Sequence, residues 1–560
     1  MKEKFIKKLN NKEYISKYLY LKVQKEIPSL IPNNFNLDIY NNEVLASDQI
    51  KYKDYFQNMY NNIDPNIHLD EDQIKAILTD EEYSLIIAGA GTGKTTTMAS
   101  KIKYLVDIKK IPPNEILAIS FTKKATEELQ KRIVVDFNIP AEVTTFHSLG
   151  LMYIREIFKP HKCYVVDKNI RNSIFLEYFK ENIFPYKSKV KELLELFTTS
   201  TVKKIWLFGD YFQRNYQKYN TFQEYFQNYK IDRLKEIPDL DKWLEDRINK
   251  DINDSEVIYT IRGEMVKSKG EAIIANFLYI NNIGTNTNLK FQYIIIDEYQ
   301  DISEDRYILA KNVSTVNTAK VVAVGDDWQS IFSFAGSKIE YTYNFLSYFP
   351  TAKILKISKA YRNSRQLIKY SSDFIMKNTD QISKQLLSTK ENPSPIKFVF
   401  FEEGKEYQKL KELILAIHKN NKNSHILILG RTNKIIDTMY EEPELIDDME
   451  TKVKYQGYDD IDIDGMTIHK SKGLTSDEVI IIGLDSRFPK PYYGDFWLKE
   501  IYKNNWYEEK IPFAEERRLF YVALTRTKNN VYLLVNKDAD NRSPFINEIY
   551  NIMINNKESI

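Results

Sequence analysis

Ile86-Ile-Ala-Gly-Ala-Gly-Thr-Gly-Lys-Thr-Thr-Thr97 is the stretch on which the fold turns. Apolar residues run into a glycine-rich loop, and Met98, Ile102 and Leu105 then recur at helical spacing. Strand, loop and helix in that order build a phosphate cradle. Glycines let backbone N–H groups turn inward, a lysine brings charge to the β- and γ-phosphates, and the hydroxyl beside it ligates Mg2+. The helix N-terminus adds the positive end of its dipole. Ala88, Gly89, Ala90, Gly91, Thr92, Gly93, Lys94 and Thr95 are therefore the candidate nucleotide-binding residues, with Thr95 also a candidate metal ligand. Ala88 stands where such loops usually begin with glycine, a small-for-small exchange that keeps the loop's room. Binding of a nucleoside triphosphate is implied.

About 200 residues downstream comes Tyr293-Ile-Ile-Ile-Asp-Glu-Tyr-Gln-Asp301. Its apolar run suits a strand buried on both faces of a parallel sheet. Acids follow at the carboxyl end, where open α/β sheets place their ligands. Asp297 is positioned to hold the Mg2+ that bridges the phosphates, and Glu298 to polarise the attacking water. Alone, such an acid pair would more simply be a solvated turn. Paired with the loop at 88–95, it predicts hydrolysis rather than binding alone.

The 560 residues are too many for one core and imply three or four domains. Lys and Arg number 80 against 78 Asp and Glu, so any nucleic-acid contact has to come from a local basic groove rather than from bulk charge. The single cysteine, Cys163, excludes an intrachain disulfide framework and a cysteine-based zinc site. Met-Lys-Glu-Lys-Phe opens the chain without a signal-peptide core, and no apolar run approaches a bilayer span. A cytoplasmic protein without membrane contact is expected.

Helical patterning with many aromatics covers 1–65 and carries no identifiable chemistry. Strands at 85–88, 116–120 and 143–145 alternate with helices over 66–150, and strand character returns within 290–351, at 293–296 and 321–324. Between them, 151–289 reads as a helical insertion. A second α/β block is expected over 352–545, with strands at 354–357, 426–429, 479–482 and 531–535, and 546–560 reads as a tail. Two α/β blocks with one phosphate loop suggest a nucleotide held where they meet.

With these positions placed, the chain resembles the UvrD/Rep family of superfamily 1 DNA helicases, and within it the helicase IV-like branch. The resemblance covers about 66–545, with motifs in the family's order and spacing. It implies two RecA-like parallel-sheet P-loop NTPase domains. Leu69-Asp-Glu-Asp-Gln73 resembles the motif whose glutamine reads the adenine edge. Ile119-Ser-Phe-Thr-Lys-Lys-Ala125 and Thr145-Phe-His-Ser148 are similar to motifs that touch single-stranded DNA, which makes Phe121, Thr122 and His147 candidate DNA contacts. In Val324-Gly-Asp-Asp-Trp-Gln-Ser-Ile-Phe-Ser-Phe334, resemblance gives Gln329 the sensing of the γ-phosphate and Phe334 a base to stack on. Ala360-Tyr-Arg-Asn-Ser364 implies Tyr361 on the adenine and Arg362 at the γ-phosphate. Met466-Thr-Ile-His-Lys-Ser-Lys-Gly-Leu474 adds His469 as a DNA contact, and Glu515-Glu-Arg-Arg-Leu-Phe-Tyr-Val-Ala-Leu-Thr-Arg526 ends in the arginine finger.

Three positions depart from the family. Thr475 stands where glutamate is usual, Thr96 where several relatives carry an adenine-packing arginine, and Ala335 where some carry a basic residue. Ser268-Lys-Gly-Glu-Ala-Ile-Ile-Ala-Asn-Phe-Leu278 resembles the first helix of restriction-type nuclease folds, but no acid pair with Glu-x-Lys follows, so a structural role is expected. Only about 30 residues separate Asn433 from Met466, too few for the family's large second accessory domain.

The resemblance implies an ATP- and Mg2+-dependent 3′-to-5′ translocase and helicase, in repair, recombination or defence. Its expected substrate is single-stranded DNA or a 3′-tailed duplex, and its expected free state a monomer. Two other readings remain: an ATP-driven remodeller of protein–nucleic acid complexes, and a triphosphate-regulated switch partnering a nuclease or a repair or defence factor.

Overall fold

The computed structural model describes residues 1–157, 258–259, 265–266, 289–333, 336–441, 461–486, 488–489 and 509–557. Contacts divide the chain into two compact units, Met1–Tyr153 with Thr260–Val266 and Gly270–Ile560, and Ile154–Tyr259 with Lys267–Lys269. The first unit holds everything below. The expected insertion, with its nuclease-like helix, lies almost wholly outside the described residues.

Among the described residues, eleven strands make two parallel sheets. In the first, β1 (Tyr83–Ala88), β2 (Ile116–Ser120), β3 (Glu142–Thr145), β4 (Tyr293–Ile296), β5 (Lys320–Gly325) and β6 (Lys353–Ile357) lie in the order β3-β2-β4-β5-β1-β6. In the second, β7 (Ile396–Phe401), β8 (Ile426–Gly430), β9 (Ile463–Thr467), β10 (Ser476–Ile481) and β11 (Thr527–Asn536) lie in the order β9-β8-β10-β11-β7. Period-two alternation fills both faces of each. Leu85, Ile87, Leu117 and Ile119 enter one core while Ile86, Ala88, Ile116 and Ala118 enter the other. Leu427 and Val479 face opposite Ile428 and Ile480 in the same way.

Two expectations about domain limits change. β6 pairs with β1, Ser84 beside Lys353 and Ala88 beside Ile357, so it closes the first sheet instead of opening the second. It is an edge strand that buries mainly one face, and its apolar residues alone do not reveal which sheet it joins. The supposed tail is largely a helix, Pro544–Lys557, whose Phe545, Ile549, Ile552 and Met553 fill the second core. β7 and β9 are strands beyond those expected from the sequence.

The N-terminal helices Lys2–Asn10, Lys17–Glu26 and Leu37–Lys51 gather a small cluster around Phe5, Ile15, Leu19 and Val23. Tyr14, Val44, Leu45, Phe56 and Tyr60 join the core beneath the first sheet. Asp80 fastens this junction: Lys320 approaches to 2.5 Å, Lys8 to 3.6 Å, and the Tyr293 hydroxyl donates at 2.6 Å. Beside it Glu81 accepts from the Tyr14 hydroxyl and the Lys17 N–H, both at 2.9 Å. Among the described residues no helix is long and apolar enough to cross a membrane.

Lys101, on the helix after the loop, is buried and donates to the carbonyls of Ile77 at 2.8 Å and Thr79 at 2.5 Å. It thereby caps the end of helix Glu71–Leu78, and burial brings its pKa down to about 7. Lys101→Met strands those acceptors and should lower unfolding stability by about 2–3 kcal/mol in urea titrations. An unchanged midpoint would show that the cap contributes nothing.

Candidate active site

The phosphate loop leaves β1 at Ala88 and enters the helix Lys94–Asp107. Gly91 and Gly93 hold φ of +73° and +78°, and a Cβ on Gly91 would lie 2.5 Å from Cβ of Arg362. Only glycine lets the second block come this close. Thr92 ties the loop to itself, its buried hydroxyl donating to the Gly89 carbonyl at 3.0 Å. Lys94 donates from Nζ to the Ala88 carbonyl at 3.2 Å. Thr95 is half-buried in the helix's first turn, while Ala88 and Ala90 are buried in the wall.

Asp70 caps helix Glu71–Leu78 in a reciprocal box with Gln73. The Gln73 oxygen accepts from the Asp70 N–H at 3.0 Å, and its Nε2 donates to the Thr92 carbonyl at 3.0 Å. The amide expected to read adenine thus also braces the loop. The Tyr361 hydroxyl donates to Asp70 at 2.9 Å, which sets that half-exposed ring over the same corner.

At the carboxyl end of β4, Asp297 accepts from the Glu298 N–H at 2.8 Å. Burial, and then the neighbouring Glu298, raise the Asp297 pKa. Glu298 sits at φ +47°, a strained conformation for a residue with a side chain. Burial would raise its pKa, but Lys472, Lys94 and a hydrogen bond from Gln300 outweigh that and keep it lowered. Lys472 comes from the second block. Its Nζ lies 3.8 Å from Glu298 and 2.5 Å from Asp301, and donates to the Gln329 carbonyl at 2.6 Å.

Arg526 is 1% exposed, and its Nη2 donates to the Gln329 side-chain oxygen at 3.0 Å. Its other bonds go to the carbonyls of Val522 and Leu474 and to the Thr525 hydroxyl. Arg362 donates to the Thr525 carbonyl at 3.3 Å. Burial, and then the neighbouring Arg526, bring its pKa down to about 9. Burial lowers Arg526 as well. Among the described residues neither arginine nor Lys94 has a carboxylate within ion-pair distance. Three cations on neutral acceptors beside a glycine loop form a donor set that suits a polyphosphate.

The candidate DNA residues divide into groups. Phe121 lies edge-on to Phe146 at 5.2 Å, with the Arg306 guanidinium 4.7 Å over its ring. His147 neighbours them, and burial, then Arg306, push its pKa down to about 4. Thr122 is exposed, and its hydroxyl accepts from the Ala125 N–H as a helix cap. His469 stands 6.1 Å from the Phe332 ring, which also lies 5.2 Å from the Lys472 ammonium. Phe334 and Ala335 lie outside the described residues.

The motifs by themselves give no role to Lys472, Gln300, Arg306 or Lys384. Lys472 and Gln300 stand inside quoted motifs, yet nothing in the chain's order shows which acid each meets. Gln300 accepts the Asp326 N–H at 2.8 Å and donates to Glu298, joining two strand ends 26 residues apart.

Comparison with known proteins identifies the family. The UvrD/REP helicase N-terminal domain matches residues 69–350, and the UvrD-like helicase C-terminal domain matches 442–538. DNA helicase IV of Escherichia coli is 26% identical over 522 residues, covering 90% of this chain and 72% of that protein. ATP-dependent DNA helicase PcrA of Staphylococcus aureus is 27% identical over 389 residues, 65% of this chain and 48% of the relative. ATP-dependent DNA helicase Rep of Buchnera aphidicola is 28% identical over 345 residues, 60% of this chain and 50% of the relative. The chain thus spans about half the length of PcrA and Rep. With half of its residues matched by the N-terminal domain alone, and the C-terminal domain matched as well, the chain belongs to the UvrD/Rep helicase family.

Proposed function

We propose that this chain is an ATP-dependent DNA helicase that translocates 3′-to-5′ on single-stranded DNA. The observation that carries the proposal is the convergence of Lys94, Arg362 and Arg526, without a carboxylate at ion-pair distance among the described residues, around a glycine loop with Glu298 beside it. Lys94 and the loop N–H groups bind the β- and γ-phosphates, with Gln73 and Tyr361 at the base. Thr95 and Asp297 are the residues that would hold Mg2+, which supplies charge neutralisation at the phosphates. Glu298 orients and deprotonates the attacking water. Arg362 and Arg526 answer the charge that develops on the γ-phosphoryl group.

Because those arginines belong to the second block, turnover requires it to close on the loop, and each hydrolysis releases that closure. A strand held by Phe121, Thr122 and His147 on one block and His469 on the other would be moved by the cycle, with Phe334 as a further stacking residue. We read 151–289 as the first accessory domain and 434–465 as too short to form the second. That shortness favours dependence on a protein partner for gripping duplex.

The test compares ATP hydrolysis with and without single-stranded DNA, and unwinding of 3′-tailed duplexes of increasing length. Strong stimulation by single strands with unwinding confined to short duplexes is expected of the isolated chain. Hydrolysis indifferent to DNA would remove the motor reading. Processive unwinding of long duplexes by the monomer would remove the role given to the short segment.

A further inference from the structure

Lys384 is 3% exposed at its side chain and pairs with two acids that are fully buried, Asp326 and, at 2.6 Å, Asp327. Its ammonium also lies 4.4 Å from the Trp328 ring. A lysine taken this far from water is costly, and an apolar residue would fill the same volume more simply. The charge therefore serves something besides packing.

The path from Lys384 leads to the catalytic face. Asp326 meets Lys384 through Oδ1, and its Oδ2 accepts from the Gln329 Nε2 at 2.5 Å. The opposite end of that amide, Oε1, accepts from Arg526 at 3.0 Å. A carboxamide can face either way, and only its neighbours choose. An ionised carboxylate accepts and cannot donate, so it holds the NH2 end and leaves the oxygen to the guanidinium. Burial would raise the Asp326 pKa, but Lys384, then Lys94 and the Gln329 bond, keep it lowered. Lys384 sits on the segment that follows the Arg362-bearing stretch and its helix Arg365–Ile375. That segment grips the same turn again: the Ile382 N–H donates to Asp327 at 2.7 Å and its carbonyl accepts the Trp328 indole N–H at 3.1 Å.

We propose that Lys384 is a positioning residue for hydrolysis: paired with Asp326, it fixes the Gln329 amide with its oxygen toward Arg526 and so presets the arginine for the γ-phosphoryl group. This rests on the ATP-hydrolysis reading above. Lys384 touches no substrate and acts through Asp326 and Gln329.

The test measures single-stranded-DNA-stimulated ATP turnover for the full chain carrying Lys384→Met, Asp326→Asn, Gln329→Ala, and each of the first two combined with Gln329→Ala. Lys384→Met should lower kcat on the order of 10²-fold, since a misplaced transition-state group costs that much. KM for ATP should move less than about twofold, the signature of an interaction made after binding. Asp326→Asn leaves Lys384 its pair with Asp327, guards against a folding failure, and should give the same split. In the Gln329→Ala background neither change should slow turnover further, because the amide they orient is gone. Full additivity in that background, or near-normal kcat in folded Asp326→Asn protein, would overturn the proposal. A parent chain without ATPase activity would instead overturn the reading on which it rests.

Discussion

An Arg526→Ala chain should hydrolyse ATP some 10³- to 10⁵-fold more slowly than the parent on single-stranded DNA, with triphosphate affinity nearly unchanged. Arg526 is buried and, among the described residues, carries its charge without a carboxylate at ion-pair distance and meets the first block through the Gln329 oxygen. Its positive charge has most to gain when negative charge builds on the transferring phosphoryl group, so its loss falls on kcat rather than on binding. Arg526→Lys should recover little, because one ammonium cannot span both the Gln329 oxygen and a phosphate as a guanidinium fork does. Steady-state turnover beside titration of a fluorescent nucleotide separates the two quantities. Turnover within tenfold of the parent would mean that chemistry does not occur between the two sheets.

Glu298→Gln separates binding from chemistry in a different way. The exchange keeps shape and removes a charge, so the strained backbone at φ +47° and the contact with Gln300 have no steric reason to change. Asp297 and Thr95 remain to hold Mg2+, and nucleotide affinity should stay within a few-fold. Hydrolysis should fall by about 10²- to 10⁴-fold, the usual contribution of a general base. Lys472, 3.8 Å from Glu298, would lose part of its electrostatic partner but keep Asp301 at 2.5 Å, so the contact between blocks survives. Lost affinity with preserved turnover would reverse the roles given to the two acids.

Much of this candidate site is legible in the sequence, because its chemistry sits on short contiguous stretches. A strand, a glycine loop and Lys94 announce themselves locally, as do four apolar residues ending in Asp297 and Glu298. Pairing was less legible. β6 has the composition of any edge strand, and only its hydrogen bonds to Ser84–Ala88 assign it to the first sheet. The helix Pro544–Lys557, expected as a tail, carries a readable signal in the spacing of Phe545, Ile549, Ile552 and Met553. Lys384 gave no signal, since a lysine in a polar stretch looks solvated until the fold closes over it. The roles given to Gln73 and Thr122 gained a second side, because each also serves as a local brace.

The place of β1 between β5 and β6 has a consequence for how the protein is made. The ribosome delivers Tyr83–Ala88 early, but the strands that flank it, Lys320–Gly325 and Lys353–Ile357, emerge about 230 residues or more later. At common rates of synthesis that is a wait of roughly ten to fifty seconds. Throughout it, an apolar segment and the glycine loop hanging from it have neither flanking strand to pair with, so the strand edges stay open and the nucleotide site incomplete. Chaperone capture should therefore concentrate on chains stalled before residue 320, and fall sharply once β6 has left the exit tunnel.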